Sequence, residues 1–464
     1  MKRSADPASV IPSDFLALRV PSSWNDSCVY SGPRVMLDII PKGPGQPVAV
    51  VSTLDTKGRE TAYLAGRIRE SGLDVLVVDS GVLGEPRGIT ADIGHERVAE
   101  AAGTTLAAVR AIGTRGAAVE VMARGLSRVL ADLYRRGRCA GVIALGGAEG
   151  AVMAAGAMQA LPLGLPKIIV TPVAAGRRTF GPFVGLRDVL LMHSVVDILG
   201  LNPVSRTILD NAAGAIAGMV RARAARPSAA AEGSLVAVTM LGNTTPAVTR
   251  IAEGLEAAGF TPVVFHSNGV GGQCMEEMIA EGMFIGVIDF TTDELTDELV
   301  GGLHAAGPHR LETAARRGVP QVVVPGCVDF FVVAPQESVL ERWRERPQYH
   351  HNPALTLVRT SREEMAEVGR IMAAKLSVSR GPVAVAVPLG GLSIPNTPGG
   401  AFHDPEADAA FLAALRRHLR SDIPVVEVPA HINAPVFAEA VLALFRRLMP
   451  EPAAARVAAG GRDA

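Results

Sequence analysis

The sequence predicts an α/β protein with mostly parallel sheets flanked by helices, arranged as two halves. Short apolar runs alternate with segments of helical periodicity along most of the 464 residues. The runs lack the alternation of a half-exposed strand, which indicates strands buried on both faces. Parallel strands need crossover connections, and these are usually helices. A high glycine content (49 residues) with few aromatic side chains (4%) also favours an α/β fold with glycine-bearing loops.

The first half is predicted to be a subdomain over residues 46–220, preceded by an N-terminal extension, 1–45, rich in Pro, Ser and Gly. Apolar runs predict its strands at 47–52, 74–78, 140–145 and 167–171. Helical periodicity predicts helices at 60–71, within 96–136, at 151–160 and at 202–220.

A linker is predicted at 221–233 from its Ala, Arg, Pro and Ser content, and a second α/β subdomain follows at 234–450. Its strands are predicted at 235–240, 261–266, 285–290, 321–325, 382–387 and 424–428. The tail at 451–464 reads as disordered. Both halves open with similar segments, VAVVSTLDTKG and VAVTMLGNTTP. This similarity is either an internal structural repeat or convergence on one supersecondary unit.

Composition and charge exclude several classes of protein. Lys+Arg (45) and Asp+Glu (46) nearly balance, which argues against a general nucleic-acid binder. No apolar run reaches the ~18–20 residues of a membrane span, and no secretory signal follows Lys2 and Arg3. The four cysteines have neither zinc-ribbon spacing nor a disulfide pattern. We expect a cytoplasmic homo-oligomer without nucleic-acid or membrane partners.

The first candidate site lies after the first strand, because ligands of open parallel sheets bind beyond the carboxyl ends of strands. Residues 52–58 include Thr53, Asp55, Thr56 and Lys57, whose hydroxyls, carboxylate and ammonium suit a phosphate or Mg²⁺. The alternative is a capped helix start with Asp55 or Thr56 as N-cap. The loop is not a P-loop, because GxxxxGK[ST] is absent.

The other loops of the first half extend this site. After the third strand, Gly146, Gly147, Glu149 and Gly150 lead directly into a helix, which suits a phosphate, although Glu149 favours Mg²⁺ over an anion. Asp79 ends the second strand, where dinucleotide-binding folds place an acidic residue on a ribose hydroxyl. The loop after the fourth strand contributes Thr171, Ala174 and Gly176, and its Arg177 and Arg178 either clamp an anion or are solvated.

In the second half, acid–base groups follow the strands. His266, Asp289, Glu294 and His351 are the candidates for catalytic acids and bases. No HExxH or comparable pair is present, so no metal ligand is predicted.

These loops carry motifs that resemble a known family. The motifs lie throughout residues 46–448 and include STLDTKGRE, VDSGVLGEP, ALPLGLPKIIVT, MHSVVDILGLN, NAAGAIAGM, FHSNGVGGQCMEEMI, GVIDFTTDELTDELVGG, HNPALTLVRT, DPEADAAF and HIN. On these motifs the chain resembles a largely uncharacterised bacterial and fungal family related to the N-terminal domain of the tomato mosaic virus resistance protein.

The resemblance implies two Rossmann-like subdomains and ATP bound against loops of the N-terminal half. In the plant member this domain binds ATP and inhibits a viral replication protein. The matching positions here are Thr53, Asp55, Thr56, Lys57, Gly146, Gly147, Gly150 and 171–176. Where the family usually has a Gly-Ser-Gly-Gly-Thr loop, residues 147–151 read GAEGA, so two hydroxyls are replaced and a carboxylate is added.

Three functions are consistent with these observations. The first, which we favour, is a protein that binds ATP with Mg²⁺, or another nucleotide or phosphorylated small molecule, and either senses it or uses it as an ATP-dependent enzyme. The second is a nucleotide-independent lyase or hydrolase acting on a carbonyl or sugar-acid substrate in an inter-subdomain cleft. The third is a non-catalytic paralogue that binds partners.

Overall fold

The computed structural model describes residues 45–174, 183–225 and 234–449. The chain divides into two compact units at residues 230 and 231. The N-terminal unit here means the described residues 45–225, and the C-terminal unit means 234–449. Residues 1–44 of the predicted extension, most of the predicted linker (226–233), Gly176 with Arg177 and Arg178, and the predicted tail lie outside the described residues.

The N-terminal unit is built on a five-stranded parallel sheet of order β2-β1-β3-β4-β5. Its strands are β1 (Val48–Ser52), β2 (Val75–Asp79), β3 (Gly141–Leu145), β4 (Lys167–Thr171) and β5 (Leu190–His193). Its helices are α1 (Leu54–Glu70), α2 (His95–Ala101), α3 (Leu106–Arg110), α4 (Arg115–Arg135), α5 (Ala148–Gln159) and α6 (Pro203–Ala225). The chain leaves β1 for β2 on one side and later returns to β3 on the other, so a crevice opens between the loops after β1 and β3.

Strand β1 shows why the sheet forms. Val48 and Val50 pack into the hydrophobic core on one face, and Ala49 and Val51 pack into the core on the other. Ser52 pairs with both Asp79 and Leu145, so the three central strands end level with one another. Their carboxyl ends therefore present adjacent loops at one edge.

The C-terminal unit has a six-stranded parallel sheet of order β14-β13-β9-β8-β6-β7 and a separate antiparallel sheet of order β10-β12-β11. Its strands are β6 (Ser234–Met240), β7 (Phe260–His266), β8 (Gly286–Thr291), β9 (Gln321–Gly326), β10 (Phe330–Val333), β11 (Gln348–Asn352), β12 (Leu355–Arg359), β13 (Val383–Pro388) and β14 (Val425–Val428). Its helices are α7 (Thr245–Ala257), α8 (Val270–Ala280), α9 (Glu294–Val300), α10 (Thr313–Arg317), α11 (Arg362–Ser377), α12 (Pro405–His418) and α13 (Pro435–Leu448).

The predicted fold class is confirmed, and each predicted strand agrees with the structure to within one residue at either end. Three helix predictions need correction. Helix α5, predicted from residue 151, begins at Ala148, so Glu149 and Gly150 belong to its first turn. Helix α1 begins at Leu54 instead of residue 60, so Asp55, Thr56 and Lys57 belong to its first turn. Helix α6 continues to Ala225, into the predicted linker. No helix in the described ranges is both long and apolar enough to cross a membrane.

Candidate functional site

A cavity of about 530 Å³ lies at the carboxyl edge of the first sheet. It is bounded by the starts of α1 and α5, by the loop after β2 and by α3 and α4. The lining residues are Thr53, Asp55, Thr56, Lys57, Ser80, Val82, Leu83, Val109, Arg110, Ile112, Thr114, Arg115, Ala118, Val119, Gly147, Glu149, Gly150, Met153 and Asp197.

The start of α1 forms one end of the cavity. Thr53 is its N-cap residue, with an extended backbone, and its side chain makes no capping hydrogen bond. The Thr53 hydroxyl instead lies 3.0 Å from the Thr56 hydroxyl. Beneath them, the Leu54 amide donates to Asp79 Oδ1 (3.0 Å). The first turn is therefore held from below while its hydroxyls face the cavity.

The loop from β3 to α5 forms the adjoining wall. A Cβ on Gly146 would lie 2.9 Å from the Gly150 Cα, so this tight turn requires a residue without a side chain. Gly147 is the N-cap of α5 and has no side chain to cap it, and a Cβ there would meet no atom within 4 Å. Two helix N-termini without side-chain caps thus open onto one cavity, an arrangement that favours an anion.

Lys57 and Arg115, two cationic side chains of the cavity, each lie near a carboxylate. Lys57 Nζ donates to the Ile198 carbonyl (2.5 Å) and lies 4.0 Å from Asp197 Oδ1. Arg115 Nε lies 3.1 Å from Glu149 Oε1, and both side chains are substantially exposed. Exposed ion pairs contribute only ~0–1 kcal/mol, so a bound anion can take the place of Glu149 beside Arg115 at little cost.

Part of the cavity lining is apolar. It comprises side chains from the loop after β2 and from α3, α4 and α5, among them Val82, Leu83, Ile112, Val119 and Met153. Leu83 is 77% exposed. A ligand that carries both anionic and apolar groups matches this lining.

Most residues predicted from the first sheet do line the cavity. Those that do are Thr53, Asp55, Thr56, Lys57, Gly147, Glu149 and Gly150. Gly146 is buried and shapes the turn. Thr171 is buried at the end of β4, where its hydroxyl accepts the Val173 amide (3.3 Å), and Ala174 is partly buried. Neither residue is part of the cavity lining.

Asp79 is placed differently from its predicted contact with a ribose. Its side chain is completely buried, and Oδ1 accepts the amides of Leu54 (3.0 Å) and Gly81 (2.8 Å). Burial raises the pKa of this carboxyl, whereas the two amide bonds lower it. Asp79 therefore braces the loops beneath the cavity.

Several lining residues were missed by the sequence reading. Arg110, Thr114 and Arg115 lie between the second and third strands, in a region predicted only as helical. Their relation to the site depends on how three short helices pack. Their one sequence signal is a cluster of Arg and Thr at helix boundaries, which is common on protein surfaces.

In the C-terminal unit, two of the predicted acid–base groups form a buried ion network with Arg310. Arg310 donates to both carboxylate oxygens of Asp289 (2.5 and 2.7 Å) and, through Nε, to Glu294 (2.5 Å). The side chains of all three residues are at most 2% exposed. In this arrangement both carboxylates are already paired.

The two predicted histidines differ in their surroundings. His266 ends β7, and burial lowers its pKa, with the nearby His304 adding to this effect. Glu294 also acts on His266 electrostatically, so these two groups are neighbours. His351 is exposed on β11 of the antiparallel sheet.

Comparison with models of protein families shows to which family the chain belongs. Residues 46–225 match the N-terminal domain, and residues 233–449 the C-terminal domain, of an uncharacterised protein family (UPF0261). The chain belongs to the UPF0261 family. The relation that its sequence motifs indicated is thereby confirmed.

UPF0261 relatives span nearly the same length. A UPF0261 protein of Clostridium tetani is 39% identical over 85% of this chain and 96% of its own length. UPF0261 protein RA0729 of Rhizobium meliloti is 41% identical over 86% of this chain and 98% of its own length. The ToMV resistance protein Tm-1(GCR237) of Solanum lycopersicum is 32% identical over 87% of this chain but only 56% of its own length.

Proposed function

We propose that the N-terminal unit binds a nucleotide, ATP with Mg²⁺, in the cavity at the carboxyl edge of its sheet. The observation that carries this proposal is the meeting of two helix N-termini without side-chain caps, those of α1 and α5, at the point where the strand order reverses. Such switch points are the usual ligand sites of open parallel sheets. The family resemblance makes ATP the expected nucleotide.

The phosphates are expected to lie between the Thr53–Thr56 turn and the Gly147–Gly150 turn. Backbone amides and the helix dipoles stabilise negative charge there, and Lys57 and Arg115 supply cationic groups. The base is expected against Leu83, Ile112 and Val119. The cavity volume of about 530 Å³ falls within the usual range for small-molecule sites.

The donors present also fit Mg²⁺. The carboxylates of Asp55 and Glu149 and the hydroxyls of Thr53 and Thr56 all line this cavity. Mg²⁺ prefers oxygen ligands and is usually held by one or two carboxylates together with substrate phosphates. The added carboxylate at Glu149 therefore replaces the lost loop hydroxyls with a metal-binding group.

The proposal is tested by calorimetric titration of the protein with MgATP. We expect micromolar binding that Gly150→Leu abolishes, because the new side chain points into open space within the cavity lining. Gly156→Leu is the matched control: it lies in the same helix, also has open space around it and is outside the lining. Lys57→Ala is expected to weaken binding at least tenfold.

Two results would contradict the proposal. One is the absence of any heat with MgATP in a folded native protein. The other is equal affinity in the native protein and Gly150→Leu, which would place the nucleotide elsewhere.

A further inference from the structure

A histidine and two glutamates cluster at the outer side of the loop after β2. Glu85, His95 and Glu96 each offer one ligand atom, and these atoms all lie within 4.8 Å of one another. We propose that these three side chains bind a divalent transition-metal ion, with Zn²⁺ as the probe. The proposal does not depend on nucleotide binding.

His95 is held in a position suited to a metal ligand. It begins α2, and its side chain is 1% exposed. Its Nε2 lies 3.0 Å from Glu96 Oε1, and its Nδ1 lies 3.3 Å from Asp79 Oδ2. Both Nδ1 and Asp79 Oδ2 are buried, and within the described ranges neither has a hydrogen-bond partner.

This geometry does not suit a neutral imidazole alone. A neutral ring carries one N–H, so whichever nitrogen is protonated, the other turns a lone pair toward a carboxylate oxygen. A metal ion on Nε2 removes the conflict, because Nδ1–H then faces Asp79 while the Nε2 lone pair binds the ion. A carboxylate behind a ligating histidine is the usual outer support of such sites. The metal-free alternative is a doubly protonated ring between Asp79 and Glu96.

The two glutamates are free to complete the site. The Glu85 side chain is 76% exposed and that of Glu96 is 59% exposed, so rotation can bring their oxygens to the ~2.0–2.2 Å typical of such bonds. Glu85 also lies 3.5 Å from Arg110 Nη2, a largely exposed contact that costs little to break. One imidazole nitrogen with carboxylate oxygens favours a transition metal over Mg²⁺ or Ca²⁺.

A bound ion would join the middle of the loop after β2 to the start of α2, and the first residues of this loop line the cavity. Ser80, Val82 and Leu83 of this loop line the cavity, while Glu85 lies in the loop and His95 follows it. The metal is therefore expected to order this part of the cavity lining. No transition-metal site was predicted from the sequence, which has no HExxH or comparable pair, and Glu85 with the His95–Glu96 pair matches no such spacing.

The test is a calorimetric Zn²⁺ titration of chelator-stripped, full-length protein without nucleotide, with bound zinc counted by elemental analysis. We expect one zinc per chain and an affinity at least tenfold lower in Glu96→Gln and in Glu85→Gln. Both glutamines keep the side-chain shape at exposed positions. Glu100→Gln, on the same helix and paired with Arg97, is the control and should bind zinc like the native protein.

Zinc affinity unchanged in both glutamine variants would overturn the proposal. So would a metal-free protein that takes up no zinc and whose His95 carries protons on both ring nitrogens by ¹⁵N NMR. Visible absorption of the Co²⁺ form, changed by His95→Gln and not by Glu100→Gln, would support direct ligation by His95. Since no nucleotide is added, failure of MgATP binding leaves this result unaffected.

Discussion

The two units have the same strand order around their first strands, but one leaves a helix start at the sheet edge open and the other covers a helix start with a side chain. In the N-terminal unit β1 lies between β2 and β3, and in the C-terminal unit β6 lies between β7 and β8. In the N-terminal unit the start of α5 opens onto a cavity. In the C-terminal unit Glu294, which follows β8, reaches the start of α8, which follows β7, and its Oε1 accepts the amides of Gly269 (2.7 Å) and Gly272 (3.1 Å).

Glu294 thus occupies the place where an anionic ligand would sit. Arg310 pairs with it, as a cationic side chain pairs with a bound phosphate. A Cβ on Gly272 would lie 2.1 Å from Glu294 Oε2, so the carboxylate is packed directly on the helix start. Helix starts at the carboxyl edge of a parallel sheet suit anions, and this protein leaves one such start open and fills another with its own side chain.

The largest expected effect comes from removing the Glu294 carboxylate from the start of α8. Glu294→Ala removes a buried partner of Arg310 and of two amides, and should cost roughly 3–5 kcal/mol of stability. Acetate or inorganic phosphate should bind in the vacated space and restore part of this loss. The measurement is the melting temperature of variant and native protein in acetate, phosphate and chloride at equal ionic strength.

Selective stabilisation of the variant by acetate or phosphate would support the comparison. Equal shifts in both proteins would show that the start of α8 is not an anion site. Glu298→Ala, with an exposed residue on the same helix, is the control for loss of a glutamate and should melt close to the native protein.

The C-terminal unit also contains a buried aspartate whose pKa is raised into the neutral range. Burial raises the pKa of Asp297, in α9, to about 8, and the neighbouring Asp293 adds to this effect. An unfolded aspartate titrates near ~4, so between these values the folded chain binds more protons and its stability falls as the pH rises. Asp297→Asn keeps the Oδ1 acceptor for the amides of His304 and Val332 and removes the titration.

We therefore expect the native protein to lose roughly 2–4 kcal/mol more than Asp297→Asn between pH 5 and pH 8. Urea unfolding at several pH values measures the difference. Asp422→Asn, an exposed position paired with Arg420, should follow the native curve. Parallel curves for native protein and Asp297→Asn would mean that Asp297 is ionised throughout this range.

How much of the structure could be predicted from the sequence depends on whether a feature follows from a local sequence pattern or from contacts between separate elements. All strands of both parallel sheets except β5 were predicted, because continuous apolar runs signal burial on both faces. Strand β5 was missed, and none of its four residues is buried. The antiparallel strands β10 to β12 were not predicted, and β11 is largely exposed, so it carries little apolar signal. Helix α1 was placed too late because Asp55 and Lys57 read as loop residues, although they form a charged first turn.

For the site, strand-end glycines and hydroxyls were visible in sequence because their positions follow from the topology alone. The pairing of Glu294 with Arg310, and of His95 with Asp79, was not visible. Each joins residues 16 apart through packing of separate elements. Both helix starts follow a glycine-bearing segment, 146–150 and 269–272, so this feature alone does not indicate which one is filled.

The smallest expected effect is a difference in stability between substitutions at two adjacent glycines before α5. Gly146→Ala forces a Cβ to within 2.9 Å of the Gly150 backbone, so the turn must shift, and we expect a loss of about 1–3 kcal/mol in stability and weaker MgATP binding. Gly147→Ala meets no atom within 4 Å and should change stability by less than ~0.5 kcal/mol. Thermal unfolding and calorimetry on the two variants measure this contrast. Equal losses in both would mean that backbone freedom, and not the close packing of the turn, makes glycine necessary at the start of α5.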